Sequence, residues 1–318
     1  MNNIDCVRSL DSFGILPVAV KSFTANTNPD VVIYYDERQI VNRVLDESPS
    51  AMKPRLLMKA IKEVHLPQVV GTVEPVSRED LYAVHHEDYV DGVLEGKIDN
   101  GFGTRDLDVA RSLLWTNGSM LSAAKAMVNN HYQVACSFTS GFHHACHSKG
   151  MGYCTFNGLM VVCNWLTNSR HYKPQEIGIL DFDEHIGNGT EDIMHIIYPG
   201  RRPAHFTYGR WNGFWYGKEG ICGQEFIDEL PEIMNQFKNV KFLIYQAGAD
   251  PHVNSKFSRN YLTTEQLKIR DRYVFEFCRL NNIKILWCLA GGYSSIEEVI
   301  EIHLNTYKQC LEVFSSDN

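Results

Sequence analysis

Along the chain, short continuous apolar runs alternate with longer stretches in which apolar residues recur every three to four positions. The continuous runs are Val31 to Tyr35, Val134 to Phe138, Ile177 to Leu180, Val240 to Tyr245 and Ile285 to Leu289, and they read as buried strands. The segments between them read as amphipathic helices. Leu107 to Val128 is one, with Asn117-Gly118 a candidate interruption. Glu225 to Phe237 is another, where Pro231 predicts a kink or a break. A helix from about Thr264 to Leu280 opens on the capping-box pattern Thr263-x-x-Gln266. The last helix opens on Ser295-x-x-Glu298 and lays Ile296, Val299, Ile300, Tyr307, Leu311 and Phe314 on one stripe. Strand and helix in alternation predict an α/β protein, a central parallel sheet with helices on both faces. With no repeat and no linker, one domain is expected over residues 1–318. From Tyr198 to Gly223 the period is lost, which predicts a long surface excursion of the kind that lines sites in α/β proteins.

Composition narrows the class. Hydrophobic content of 44% and charged content of 21% are those of an ordinary globular protein. The 30 basic and 38 acidic residues leave a net charge of -8, which argues against direct nucleic-acid binding and favours a cationic partner such as a Lys-rich peptide or a polyamine. Nine scattered cysteines with no C-x-x-C pair predict neither a disulfide framework nor a zinc ribbon. The first residues lack a signal-peptide pattern, and no run approaches the ~20 apolar residues of a membrane span. The expectation is a soluble protein of a reducing compartment, cytoplasmic or nuclear.

Ligands of open parallel sheets bind at the carboxyl ends of the strands. Four predicted strands run directly into polar groups beside small residues: Ser140-Gly141-Phe142-His143-His144-Ala145, Asp181-Phe182-Asp183-Glu184-His185, Gln246-Ala247-Gly248-Ala249-Asp250 and Ala290-Gly291-Gly292-Tyr293. Asp183, His185 and Asp250 make an O/N/O ligand set that leaves positions open for water and substrate, as a catalytic zinc requires. A tandem His143-His144 can supply a general base and a second imidazole, and Tyr293 a hydroxyl for a developing oxyanion. Taken singly, each has an ordinary reading: loop histidines, a capping Asp, a helix-entry Tyr, an acidic loop. A structural zinc cluster of His143, His144, Cys146, His147 and Cys154 fits no common spacing.

The ordered motifs, with Gly152-Tyr153-Cys154-Thr155-Phe156-Asn157 and Gly187-Asn188-Gly189, resemble the zinc-dependent histone deacetylase family, which includes acetylpolyamine amidohydrolases. The resemblance covers roughly residues 30 to 315 and implies the arginase-like deacetylase fold. It implies zinc on Asp183, His185 and Asp250, His144 as base, His143 as its electrostatic or acid partner, and Tyr293 polarising the acetyl carbonyl. Asp181 would stand behind His143 and join a K+ site with backbone carbonyls of Asp183 and His185. Asn188 would stand behind His144, where one branch of the family has Asp, as in the class II branch. Gly152 and Tyr153 would wall the acyl-lysine tunnel, opposed by Phe214 or Trp215, with Phe257 at the rim. The implied activity is lysine deacetylation on a protein or peptide, histone tails and hence chromatin regulation included; the alternative is an acetylpolyamine or other small amide. Two remoter readings are a haloacid-dehalogenase-like phosphatase, from Asp181-Phe182-Asp183, and a non-catalytic acetyl-lysine reader. The family's later cation segment has no clear match around Ala204-His205-Phe206.

Overall fold

The computed structural model describes residues 31–41, 51–207, 209–211, 214–216, 223–257 and 261–315, with the backbone alone described at 209–211 and 214–216. In chain order the strands are β1 (Val31–Tyr34), β2 (Val69–Gly71), β3 (Val134–Ser137), β4 (Ile177–Asp181), β5 (Ala204–Thr207), β6 (Gly209–Trp211), β7 (Phe214–Tyr216), β8 (Phe242–Gly248) and β9 (Lys284–Ala290). Seven of them form one sheet in the order β2-β1-β3-β9-β8-β4-β5, with every pairing parallel. β6 and β7 form a separate antiparallel hairpin.

The helices are α1 (Lys53–Glu63), α2 (Arg78–Tyr82), α3 (Glu87–Leu94), α4 (Leu107–Asn129), α5 (Gly158–Asn168), α6 (Asn188–Ile197), α7 (Gly223–Asn235), α8 (Thr264–Leu280) and α9 (Ile296–Phe314). Strand side chains alternate between two cores. Val31, Ile33, Cys136, Tyr245 and Trp287 pack with α1, α7, α8 and α9 on one face. Val32, Tyr34, Ala135, Ile179, Ile244 and Cys288 pack with α2 to α6 on the other. Burial on both faces explains why the strands read as continuous apolar runs.

Three sequence expectations are corrected. α4 runs through Asn117-Gly118 unbroken: Asn117 Nδ2 donates to the Leu113 carbonyl at 3.0 Å, and a Cβ at Gly118 would lie 2.1 Å from the Glu74 carbonyl oxygen. That glycine lets a neighbouring backbone cross the helix. α7 continues through Pro231. The stretch after Tyr198 is not wholly irregular: β5 extends the main sheet and β6 and β7 pair with each other. The capping box at Thr263 forms as predicted, with Gln266 N donating to Thr263 Oγ1 at 3.2 Å. The seven described cysteines are buried and unbridged, and no described helix is long and apolar enough to cross a membrane.

Candidate active site

β3, β9, β8 and β4 are consecutive in the sheet, so the four polar segments at their carboxyl ends meet. The β8–β9 register, ending Gly248↔Ala290, sets Asp250 beside the Gly291-Gly292-Tyr293 turn. The β4–β8 register, ending Asp181↔Gln246, sets Asp183 and His185 on its other side.

Past the end of β4, carboxylates organise the backbone. Asp181 Oδ1 accepts from Asp183 N at 3.1 Å, and Asp183 Oδ1 accepts from His185 N at 2.9 Å. His185 Nδ1 then lies 3.1 Å from Asp183 Oδ1 and 2.9 Å from Asp250 Oδ2. One ligand atom from each of Asp183, His185 and Asp250 falls within 4.8 Å of the others.

Asp250 is fully buried, yet neither carboxylate oxygen makes a hydrogen bond of acceptable geometry; the His185 approach is close but off-axis. Burial, then the neighbouring Asp183 charge, pushes the Asp250 carboxyl up. At His185, burial favours the neutral ring, but Asp183 and Asp250 outweigh it and hold the imidazole up at about 11. Two buried carboxylates, one imidazole and unused oxygens fit a divalent cation. Gly291, at φ +52°, permits the approach, because a Cβ there would lie 2.1 Å from Asp250 Oδ1.

The two histidine rings lie against each other, with centroids 4.1 Å apart and planes tilted by 47°. His143 Nδ1 is 2.6 Å from Asp181 Oδ2, and its Nε2 is 3.6 Å from Asp183 Oδ1. Burial lowers the His143 pKa, but the Asp181 and Asp183 carboxylates overrule it and raise it to about 9. His144 Nδ1 is 2.6 Å from Asn188 Oδ1. Burial and the charge on His143 push His144 down to about 3. The pair is therefore split into a cationic and a neutral imidazole.

Tyr293 packs against His185 (ring centroids 6.1 Å), Tyr153 (6.2 Å) and Phe257 (4.9 Å). Burial, then the Asp183 and Asp250 charges, holds its hydroxyl well above the ordinary range, so it remains a donor. Gly152, at φ +54°, lies against His144, where a Cβ would come within 2.5 Å of Cδ2. Tyr153 adjoins it, with Phe102 at 5.8 Å, and Phe257 is 46% exposed at the outer edge of this aromatic group. The side chains of Phe214 and Trp215 lie outside the described residues, although their backbone forms β7.

Three further buried residues brace the site. Gln246 Nε2 donates to Asp181 Oδ1 at 2.9 Å, and its Oε1 accepts from Phe142 N at 3.1 Å, tying the histidine loop to the β4 end. Lys53 Nζ donates to the carbonyl of Gly291, two residues before Tyr293. Burial lowers this ammonium to about 8 despite the Asp250 and Asp183 charges. Arg270 Nη1 donates to the carbonyls of Gly248 (2.8 Å) and Phe182 (3.3 Å), beside two candidate ligands. Gln246 could have been found from its place at a strand end; a Lys and an Arg within helical segments read as solvated.

Residues 47–196 match the model of the histone deacetylase domain. A probable deacetylase of Archaeoglobus fulgidus is 29% identical over 250 residues, covering 69% of this chain and 67% of that protein. Over these residues the chain resembles the histone deacetylase family. Histone deacetylase 2 of Arabidopsis thaliana is 24% identical over 251 residues, 70% of this chain and 63% of that one. In fold, the crystal structure of the HDA15 HD domain matches with a TM-score of 0.74 over 90% of each chain at 18% identity. The chain thus shares the arginase-like deacetylase fold, and its likenesses support a hydrolytic deacetylase.

Proposed function

We propose that this protein is a zinc-dependent deacetylase that hydrolyses acetyl-lysine amides of proteins or peptides, histone tails among them. The observation that carries the reading is the convergence of Asp183, His185 and Asp250 beside a neutral His144 and a protonated Tyr293. Asp183, His185 and Asp250 would hold the zinc, which would supply Lewis acidity and lower the pKa of a water. His144, neutral and hydrogen-bonded at Nδ1, presents Nε2 as the acceptor of the water proton. The Tyr293 hydroxyl donates to the acetyl oxygen as charge develops there. His143, held cationic by Asp181, stabilises that charge, and it or protonated His144 returns a proton to the leaving lysine amine. Gly152 and Tyr153 form one wall of the acyl-lysine tunnel, Phe214 or Trp215 the other, and Phe257 its rim.

We assign a structural K+ to Asp181 and the carbonyls of Asp183 and His185. The phosphatase reading loses its nucleophile, because Asp181 is fully buried and its oxygens are engaged by His143, Asp183 N, Gln246 and Thr207. A polyamine substrate is the second reading, favoured by the net charge of -8.

The deciding experiment is metal analysis with rates on acetyl-lysine peptides, longer acyl-lysines and acetylspermidine, side by side. Acetyl-lysine peptides are expected to be turned over best; acetylspermidine ahead of every peptide would overturn the assignment. Asp250→Ala should lose the zinc, and full occupancy in that variant refutes the ligand set.

A further inference from the structure

Asn188 accepts from His144 through Oδ1, and what holds the other end of its amide is unusual. Asn188 Nδ2 points at two sulfurs, Cys146 Sγ at 3.6 Å and Met151 Sδ at 3.8 Å. The Cys146 thiol in turn faces the His144 carbonyl at 3.7 Å. Burial, then the Asp192 charge, raises the Cys146 pKa, so the group remains a thiol and can donate. The circuit closes: His144 Nδ1–H to Asn188 Oδ1, Asn188 Nδ2–H to Cys146 Sγ, and Cys146 S–H to the His144 carbonyl. Both sulfurs sit on tight turns that fix their position. Cys146 N donates to the Lys149 carbonyl at 2.9 Å, and Met151 and Cys154 exchange backbone bonds at 2.9 Å.

An asparagine amide can be reversed at little steric cost, and the two orientations dictate opposite tautomers of the facing imidazole. With Oδ1 toward His144, Nδ1 carries the proton and the Nε2 lone pair can accept one. With Nδ2 toward His144, Nδ1 must be bare and Nε2 protonated, which removes the acceptor. A thioether has no proton to give, so a reversed amide would set its carbonyl oxygen against Met151 Sδ and forfeit that contact. The thiol can serve either orientation; the thioether serves only one.

We propose that Met151 and Cys146 are positioning residues: their sulfurs fix the Asn188 amide, and the amide fixes the His144 proton on Nδ1. The inference rests on His144 as the general base, but its primary readout, the position of a proton, does not.

The test is the Cys146→Ala/Met151→Leu enzyme, with ring-nitrogen NMR on histidine-labelled protein identifying which His144 nitrogen is protonated. The parent should carry the proton on Nδ1. The double variant should shift a substantial fraction to Nε2 and lose about tenfold or more in kcat with KM little changed. Adding Asn188→Asp should restore both the Nδ1 tautomer and most of the rate, since a carboxylate accepts through either oxygen and has no wrong orientation. A double variant with the parental tautomer overturns the proposal, as does a rate loss that Asn188→Asp leaves unrepaired. If the double variant does not fold, Met151→Leu alone carries the test because it keeps the volume. A detectable Nε2–H population is then expected, and its absence overturns the proposal. Tautomer and rate moving apart, with the proton shifted but kcat unchanged, would instead refute His144 as the base.

Discussion

His143 and His144 share one loop, one degree of burial and nearly one position, with rings 4.1 Å apart, yet they are backed differently. Behind His143 stands the Asp181 carboxylate, anchored by Gln246; behind His144 stands the Asn188 amide, anchored by two sulfurs. Desolvation opposes charge on both. Only His143 has a full negative charge close enough to reverse the outcome, and its cation then suppresses the second charge next door. One support sets a charge state and the other sets the position of a proton. Two chemically identical side chains thereby take opposite charge states, which suits one as an electrostatic partner and the other as a base.

Removing His144 should abolish the base outright. His144→Ala is expected to lower kcat by about 10³- to 10⁴-fold with native circular dichroism and metal content; a loss under tenfold would end its role. Tyr293→Phe leaves both histidines in place and removes the donor to the developing oxyanion. A loss of roughly 10²- to 10³-fold in kcat is expected, and unchanged turnover would sink the mechanism.

Asp181→Asn erases the difference between the two supports. Without that carboxylate the His143 pKa should fall from about 9. A raised pKa means the cation is present below it and lost above it, so the parent kcat/KM should decline as pH rises through about 9. The alkaline limb of Asp181→Asn should then move to lower pH. The replaced carboxylate accepts four hydrogen bonds, so about 1–3 kcal/mol of stability should go too. A pH profile identical to the parent's would show that His143 needs no charge.

The gentlest test gives both histidines the same support. Asn188→Asp adds a carboxylate that favours imidazolium at His144, so its pKa rises and the neutral base is lost at a higher pH. The acid limb of kcat/KM should move upward while the rate at pH 8 changes less than about tenfold. An acid limb that stays in place would mean that His144 is not the titrating base.

Much of this site is legible in the chain itself. Asp183, His185, Asp250, His143, His144 and Tyr293 stand out because each follows an apolar run that could only be a buried strand, and such strand ends are where α/β sheets bind ligands. The supports are less legible. Asp181 and Asn188 are reached through family resemblance, whereas Gln246, Lys53, Arg270, Cys146 and Met151 announce no such role. Each acts through one or two hydrogen bonds to residues distant in sequence or across a turn, and a single residue type has no period to betray such a bond. Helix continuity is hidden in the same way: Gly118 has the look of a breaker, but the backbone at Glu74 occupies the space its missing side chain leaves.

Local pattern alone marked five of the seven main-sheet strands and the helices α4, α7, α8 and α9, and which strand ends carry candidate ligands, acids and bases, because burial on both sheet faces and helical periodicity are written in consecutive residues. Which ends become neighbours was a tertiary decision. The strands occur in the order β3, β4, β8, β9 but lie in the sheet as β3-β9-β8-β4. Asp250 and Tyr293 thereby come to the centre, between the histidines and the Asp183–His185 loop. Chain order does not encode that permutation; it arises from how the crossover helices cover the two faces, and so from packing across the whole sheet.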